Sequence, residues 1–178
     1  MQALPIVTTH LRLRHFVVAD APRAMTLNAE PTTARWLPSH VYGSPAAAVA
    51  AIQYLVDCYR APGDPRRGPY VLAVDELRTN ELVGHVGFSP LDGEVEISYA
   101  VTEARRRQGC AAAAVACACA WIAAQFGVHT VVALTASANL PSRRLLERTG
   151  FAHDRDETRL FQGAVEQVSR YVRAACDP

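Results

Sequence analysis

The sequence predicts an α/β (α+β) fold: a mixed, mostly antiparallel central sheet flanked by helices, in the order β-αα-βββ-α-β-α-ββ. Three observations predict it. Three successive strand-like runs, Tyr70 to Asp75, Glu81 to Phe88 and Glu94 to Val101, are joined by turn residues at Asn80 and Asp92-Gly93, the pattern of an antiparallel meander. A long Ala-rich helical run, Gln108 to Phe126, then separates that meander from a short apolar strand, Thr130 to Thr135. The length, 178 residues, fits one domain of roughly 150 residues, so residues 1–178 read as a single domain.

Taken in order, Leu11 to Val18 alternates and then turns apolar, which predicts the first strand. Asp20 is placed as the N-cap of a helix to Asn28, with Pro22 tolerated in its first turn. Pro31, Trp36, Pro38 and Ser39 predict a loop. Ser44 and Pro45 open a second helix to about Tyr59, and Gly63, Pro65, Gly68 and Pro69 predict another loop. Gly84 and Gly87 inside a strand point to bulges or close backbone approach. In the Ala-rich helix, Ala111, Val115, Ala118 and Ile122 fall at i, i+4, i+7 and i+11, a single stripe for burial against the sheet. Asn139 opens a helix to Arg148, Gly150 closes it, and Phe151 to Phe161 with Val165 to Val172 form a final hairpin around Gly163.

Composition narrows the function. Eighteen Lys and Arg against seventeen Asp and Glu leave a net charge of +1, so bulk attraction to DNA, RNA or an anionic membrane is not indicated. Five cysteines (Cys58, Cys110, Cys117, Cys119, Cys176) are too few and odd for a disulfide framework, and read as free thiols in a reducing compartment. No spacing supports a metal site. Met1 to Thr9 has neither a basic start nor a long apolar stretch, and Cys110 to Ala124 is shorter than the ~20 residues that span a bilayer. The expectation is a cytoplasmic protein with no membrane or DNA partner.

Phosphate-binding glycine loops and the nucleophile elbow are absent from the sequence. The junction before the Ala-rich helix is the distinctive segment: Arg105, Arg106, Arg107, Gln108, Gly109, Cys110, Ala111. A cationic turn running into a helix N-terminus with only small side chains suits a phosphate or pyrophosphate, because unpaired N–H groups and the positive end of the helix dipole meet there. A solvated arginine run at the helix start accounts for it equally well on physical grounds.

Arg106-Arg107-Gln108-Gly109-Cys110-Ala111 fits Arg/Gln-x-x-Gly-x-Gly/Ala, and the segment resembles the acyl-CoA pyrophosphate loop of GNAT-family N-acyltransferases. Glu96-Ile97-Ser98-Tyr99 resembles the Glu-Ile/Leu-Gly-Tyr of the subgroup containing ribosomal-protein N-terminal (RimJ/RimL-like) acetyltransferases. Asn139-x-x-Ser142-x-Arg144-Leu145-Leu146-Glu147-x-x-Gly150-Phe151 is similar to that subgroup's late helix and its Gly-Phe exit, and Leu11-Arg12-Leu13-Arg14 with Asp20-Ala21 to its start. Ser98 stands where glycine is usual, and Cys110 where a larger residue is commoner.

What the resemblance implies is a single GNAT-like domain whose sheet splays between Glu94–Val101 and Thr130–Thr135. Acetyl-CoA, or another acyl-CoA, is the implied co-substrate. Its pantetheine arm would lie along Tyr99, Ala100 and Val101, and its pyrophosphate on Arg106, Arg107, Gln108, Gly109, Cys110 and Ala111. Arg144 would reach phosphate, and Asn139 the pantetheine or acetyl region. Glu96 would take the proton from the attacking amine, and Ser142 would meet the departing thiolate. Read by residue type alone, Glu96 is also an ordinary salt-bridged strand carboxylate, and Asn139 and Ser142 ordinary helix-start residues. Cys110 offers a minor alternative as an acyl-carrying nucleophile if its thiol pKa were lowered by the helix end. Trp36 and His85 are candidate acceptor contacts, although either also reads as core.

The implied activity is transfer of an acetyl or short acyl group to a primary amine of a small molecule or a protein N-terminus. Two other classes compete: a non-catalytic acyl-CoA-binding module, and the same fold using another donor such as aminoacyl-tRNA. Families of this kind are often dimeric, so a homodimer stays open.

Overall fold

The computed structural model describes residues 4–174, so Met1 to Ala3 of the amino-terminal reading and Cys176 lie outside the described residues. Eight strands form one sheet in the order β1-β2-β3-β4-β5-β6-β8-β7. They are β1 (Ile6–Val7), β2 (Leu11–His15), β3 (Tyr70–Glu76), β4 (Leu82–Leu91), β5 (Glu94–Val101), β6 (Thr130–Ala136), β7 (Ala152–Phe161) and β8 (Ala164–Ala174). The helices are α1 (Ala21–Asn28), α2 (Pro31–Trp36), α3 (Pro45–Cys58), α4 (Cys110–Phe126) and α5 (Leu140–Arg148). All strand pairs are antiparallel except β5 with β6.

Register fixes what each face carries. Phe88 lies opposite Ile97 and Val86 opposite Tyr99, and with Leu72, Val74 and Leu13 they form the face packed beneath α4. Opposite faces alternate along a strand, so Glu96, Ser98, Ser89, Gly87 and His85 share the other face, with Ser89 opposite Glu96 and Gly87 opposite Ser98. That face is covered by a smaller core in which Phe16, Ala73 and Leu82 meet Ala21, Ala24, Ala48 and Ile52 of α1 and α3. The two strand glycines mark close approach, as expected. A Cβ on Gly84 would stand 2.5 Å from the Ala100 carbonyl oxygen, and one on Gly87 2.8 Å from a Val71 methyl.

Several local expectations are corrected, each for a nonlocal reason. The segment expected as a loop contains helix α2 and a 3₁₀ turn at Pro38–His40. Its start is not capped from within: the Thr32 N–H donates to the Glu103 carboxylate, 71 residues away, at 3.1 Å. Strand β2 ends at His15 rather than Val18, because the Phe16 N–H leaves the ladder to donate to the Tyr59 hydroxyl at 2.9 Å. Asp20 holds the N-cap position of α1 without capping it; its carboxylate accepts from the Val17 N–H and pairs with Arg14 at 2.8 Å. Strand β4 runs three residues past Phe88, to Leu91, and a short β1 precedes the expected first strand.

Helix α4 begins at Cys110, not Gln108, since Arg107 (φ +60°) and Gly109 (φ +81°) are left-handed and cannot continue a right-handed helix. Its buried face is Ala114, Val115, Ala118, Cys119, Trp121 and Ile122; Ala111, expected on that stripe, instead looks into a cleft. Cys119 is buried and Cys117 half-buried, because residues two apart on a helix point to different faces.

Candidate active site

Strand β5 is laddered to β4 along its whole length, from Glu94 to Val101. Its pairing with β6 is confined to Glu96 opposite Val132. Beyond Glu96 the two parallel strands part, and their facing backbone groups are left to a cleft of about 1120 Å³ that runs from the start of α4 to the tip of the β7–β8 hairpin. This is the splay implied between Glu94–Val101 and Thr130–Thr135.

At one end the cleft meets the N-terminus of α4. No side chain caps this helix, and its first turn holds no acidic residue. The first bond into the helix is from the Ala113 N–H to the Gly109 carbonyl. The amides of Cys110, Ala111 and Ala112 therefore precede the intrahelical ladder and remain available as donors. A Cβ at Gly109 would meet nothing within 4 Å, so the backbone stands open to a ligand. Such a cradle fits a pyrophosphate, and the unpaired edge of β5 fits an extended amide-bearing arm laid beside it. The residues present thus fit an acyl-CoA.

Not every arginine of the turn faces that cradle. Arg105 forms a two-pronged ion pair with Glu76 at 2.8 and 2.9 Å. Arg106 donates to Thr33 Oγ1 at 3.1 Å and to the Val101 carbonyl at 3.4 Å, tying the turn to α2. Both still border the cleft, together with Arg107 and Arg144. Gln108 does not: its exposed side chain folds back to donate to the Ala104 carbonyl at 2.8 Å. Cys110 lines the cleft, but burial pushes its thiol up rather than down, against a role as thiolate nucleophile.

At the parting of β5 and β6 lies Glu96, half-buried. Burial pushes its carboxyl up to about 7, with Arg159 and the Leu134 N–H acting in the opposite sense. On the other side of β5, the Tyr99 hydroxyl and Ser142 Oγ are hydrogen-bonded at 2.8 Å. Burial pushes the Tyr99 phenol up to about 12, so it stays protonated at neutral pH. Asn139 accepts the Ser142 N–H through Oδ1 at 3.3 Å, the helix-cap arrangement, while its side chain also borders the cleft.

The far end is walled by Trp36, Leu37 and His40 from one side and by Phe161 and Gln162 from the other. Ser39 Oγ and Gln162 Oε1 hydrogen-bond across this end. Sequence reasoning did not place the hairpin tip or α2's threonines here; nothing local in Phe161-Gln162 signals a partner more than 120 residues away. Nor did it pair Tyr99 with Ser142. His85, a candidate acceptor contact, does not reach this cleft: it is buried on β4 and borders a second, smaller cavity. Among the described residues no group of His, Cys, Asp or Glu is arranged to hold a metal ion, and no helix is long and apolar enough to cross a membrane.

Comparison with known proteins agrees with this architecture. Residues 10–152 match the family model described as acetyltransferase (GNAT) domain. A search of curated protein sequences finds no match. Among solved structures, the ribosomal-protein-S5-alanine acetyltransferase of Vibrio fischeri is similar at TM-score 0.81 and 16% identity, covering 98% of each chain. A ribosomal-protein α-N-acetyltransferase (RimL) in complex with coenzyme A is similar at TM-score 0.80 and 17% identity, over 95% of this chain and 96% of that one. A spermidine N-acetyltransferase chimera that includes the Vibrio cholerae enzyme aligns at TM-score 0.71 and 17% identity, over 93% and 95%. These likenesses establish the fold and include the subgroup that the motifs resemble. With the family model covering most of its length, the chain belongs to the GNAT acetyltransferase family.

Proposed function

We propose that this protein transfers an acetyl or other short acyl group from acyl-CoA to a primary amine, of a small molecule or of a peptide N-terminus, by direct attack. One observation carries the reading: a half-buried carboxyl, raised by desolvation to about 7, sits where β5 and β6 part, at the head of a cleft that ends on an uncapped helix N-terminus. A general base works best with its pKa near the working pH. Glu96, directly or through water, takes a proton from the ammonium form of the acceptor, and the freed amine attacks the thioester carbon. Backbone N–H groups on the open edge of β5 stabilise the oxyanion. The C–S bond then breaks, and the thiolate takes a proton from the hydrogen-bonded Ser142–Tyr99 pair; the second proton shed by the acylated nitrogen passes through solvent to restore that pair, and Glu96 releases its own proton to solvent. The α4 amides, Arg107 and Arg144 hold the phosphates.

The test is incubation with acetyl-CoA and a panel of primary amines, following free thiol and acetylated amine together. Equal release of both supports the proposal. Tight acetyl-CoA binding with no turnover across the panel overturns it in favour of a binding module. Donor binding that weakens steeply with salt and prefers aminoacyl-tRNA favours the other donor class.

A further inference from the structure

Behind the cleft, on the sheet face that carries Glu96, lies a second cavity of about 300 Å³ between β4 and helices α1 and α3. It shares His40, Ser89 and Ser98 with the cleft, so the two spaces adjoin. Two buried polar atoms among its lining residues have no hydrogen-bond partner: His85 Nε2 and Asn28 Oδ1, on residues 8% and 3% exposed. A protein seldom leaves such atoms unpaired, since each loses its water without compensation. Among the described residues no Asp, Glu, Lys or Arg lines this cavity. Burial lowers the pKa of both His85 and His40, so both rings are neutral at pH 7. The remaining walls are largely apolar, among them Phe16, Leu55 and Val71.

We propose that this cavity is the acceptor-specificity pocket and that it takes an uncharged hydrogen-bonding group, a carboxamide or hydroxyl on an apolar stem, carried by the same molecule as the amine. The proposal rests on the acyl-transfer reading above. A cation finds no counter-charge there, and a carboxylate finds none either. A group that both donates and accepts satisfies Asn28 Oδ1 and the His85 ring together. His85 lies opposite Ala100, four residues along β5 from Glu96. At about 3.4 Å per residue that is roughly 14 Å, less what the two side chains reach. The polar group therefore sits several bonds from the amine, the span of a dipeptide rather than of a single amino acid.

The experiment uses glycyl dipeptide amides with Gln, Met, Glu or Arg in the second position, with acetyl-CoA as donor. The Gln acceptor should exceed the near-isosteric Met and the charged Glu and Arg acceptors by on the order of 10–100-fold in kcat/KM. Asn28→Leu and His85→Leu should each collapse the Gln/Met ratio toward one or invert it. That ratio is an internal control against partial misfolding. Equal use of the four acceptors by the unaltered protein overturns the proposal while leaving acyl transfer intact. A Gln preference that survives both substitutions also overturns it. If no acceptor is acetylated, acyl transfer to such amines fails, and the pocket is tested by titrating the same amides against the His85 ring NMR signals. Saturable shifts with the Gln amide alone support the pocket; no shift means that only water occupies it.

Discussion

The two flanks of β5 are built to opposite ends. Toward β4 the ladder is complete, and the backbones press so closely that Gly84 has no room for a methyl group beside the Ala100 carbonyl. Toward β6 the ladder stops at Glu96, and the chain borders the gap with the open edge of β5, the uncapped start of α4, and a carboxyl that desolvation raises to about 7. The same strand is thus structural along one edge and chemical along the other. A glycine is needed on both sides, at Gly84 because another backbone is there and at Gly109 because φ is positive and the space is open.

The comparison predicts separable failures. The largest belongs to Glu96→Gln, with turnover expected to fall on the order of 10²–10⁴-fold and acetyl-CoA affinity little changed. In the unaltered protein kcat/KM should rise with pH through about 7, as the Glu96 carboxylate forms, and that inflection should vanish in the variant. Stability should move the other way. A carboxyl whose folded pKa is raised binds protons that the unfolded chain has released, so stability falls as pH rises from the ordinary carboxylate range through about 7. Glu96→Gln should therefore be more stable at pH 8 by about 1–3 kcal/mol, with the gain fading below pH 4. Urea midpoints at both pH values decide it, and an unchanged pH–rate profile moves the base elsewhere.

On the closed flank, Gly84→Ala should cost about 3 kcal/mol through overpacking against backbone that cannot yield. Thermal melting without ligand reads this, and an unaltered melt would mean that the strands can shift apart. Across the strand, Gly109→Val should abolish the stabilisation that acetyl-CoA gives, about 2.7 kcal/mol at 100-fold over its Kd. The positive φ adds a ligand-independent loss of about 1–2 kcal/mol, which the ligand-free melt subtracts. A valine variant still stabilised by acetyl-CoA to the full extent would remove the pyrophosphate from α4.

The smallest effect is expected at Ser142→Ala. Tyr99, hydrogen-bonded to Ser142, would stay at the proposed thiolate position, so kcat should drop on the order of tenfold, about 1.4 kcal/mol, with both KM values steady. Because Asn139 caps α5 through the Ser142 main chain, the substitution leaves that cap in place. A fully active alanine variant would assign Ser142 to the helix alone.

The sequence by itself determined the chain order of the elements from Leu11 onward, the meander, the hairpin at Gly163 and the segments bearing Glu96, Gly109 and Ser142. Those features rest on short-range chemistry: alternation, turn residues that accept positive φ, and a glycine before a run of small side chains. Only the tertiary structure decided that α2 is a helix, since its cap is the carboxylate of Glu103, and that Arg105 and Arg106 are tethered to Glu76 and Thr33. It alone brought the Glu96 carboxyl up to about 7, because a pKa is set by burial and by charges from other elements. It alone moved His85 out of the cleft and into a second cavity beside Asn28. A residue's type and spacing fix its local backbone, whereas its partners come from chain that only folding brings near.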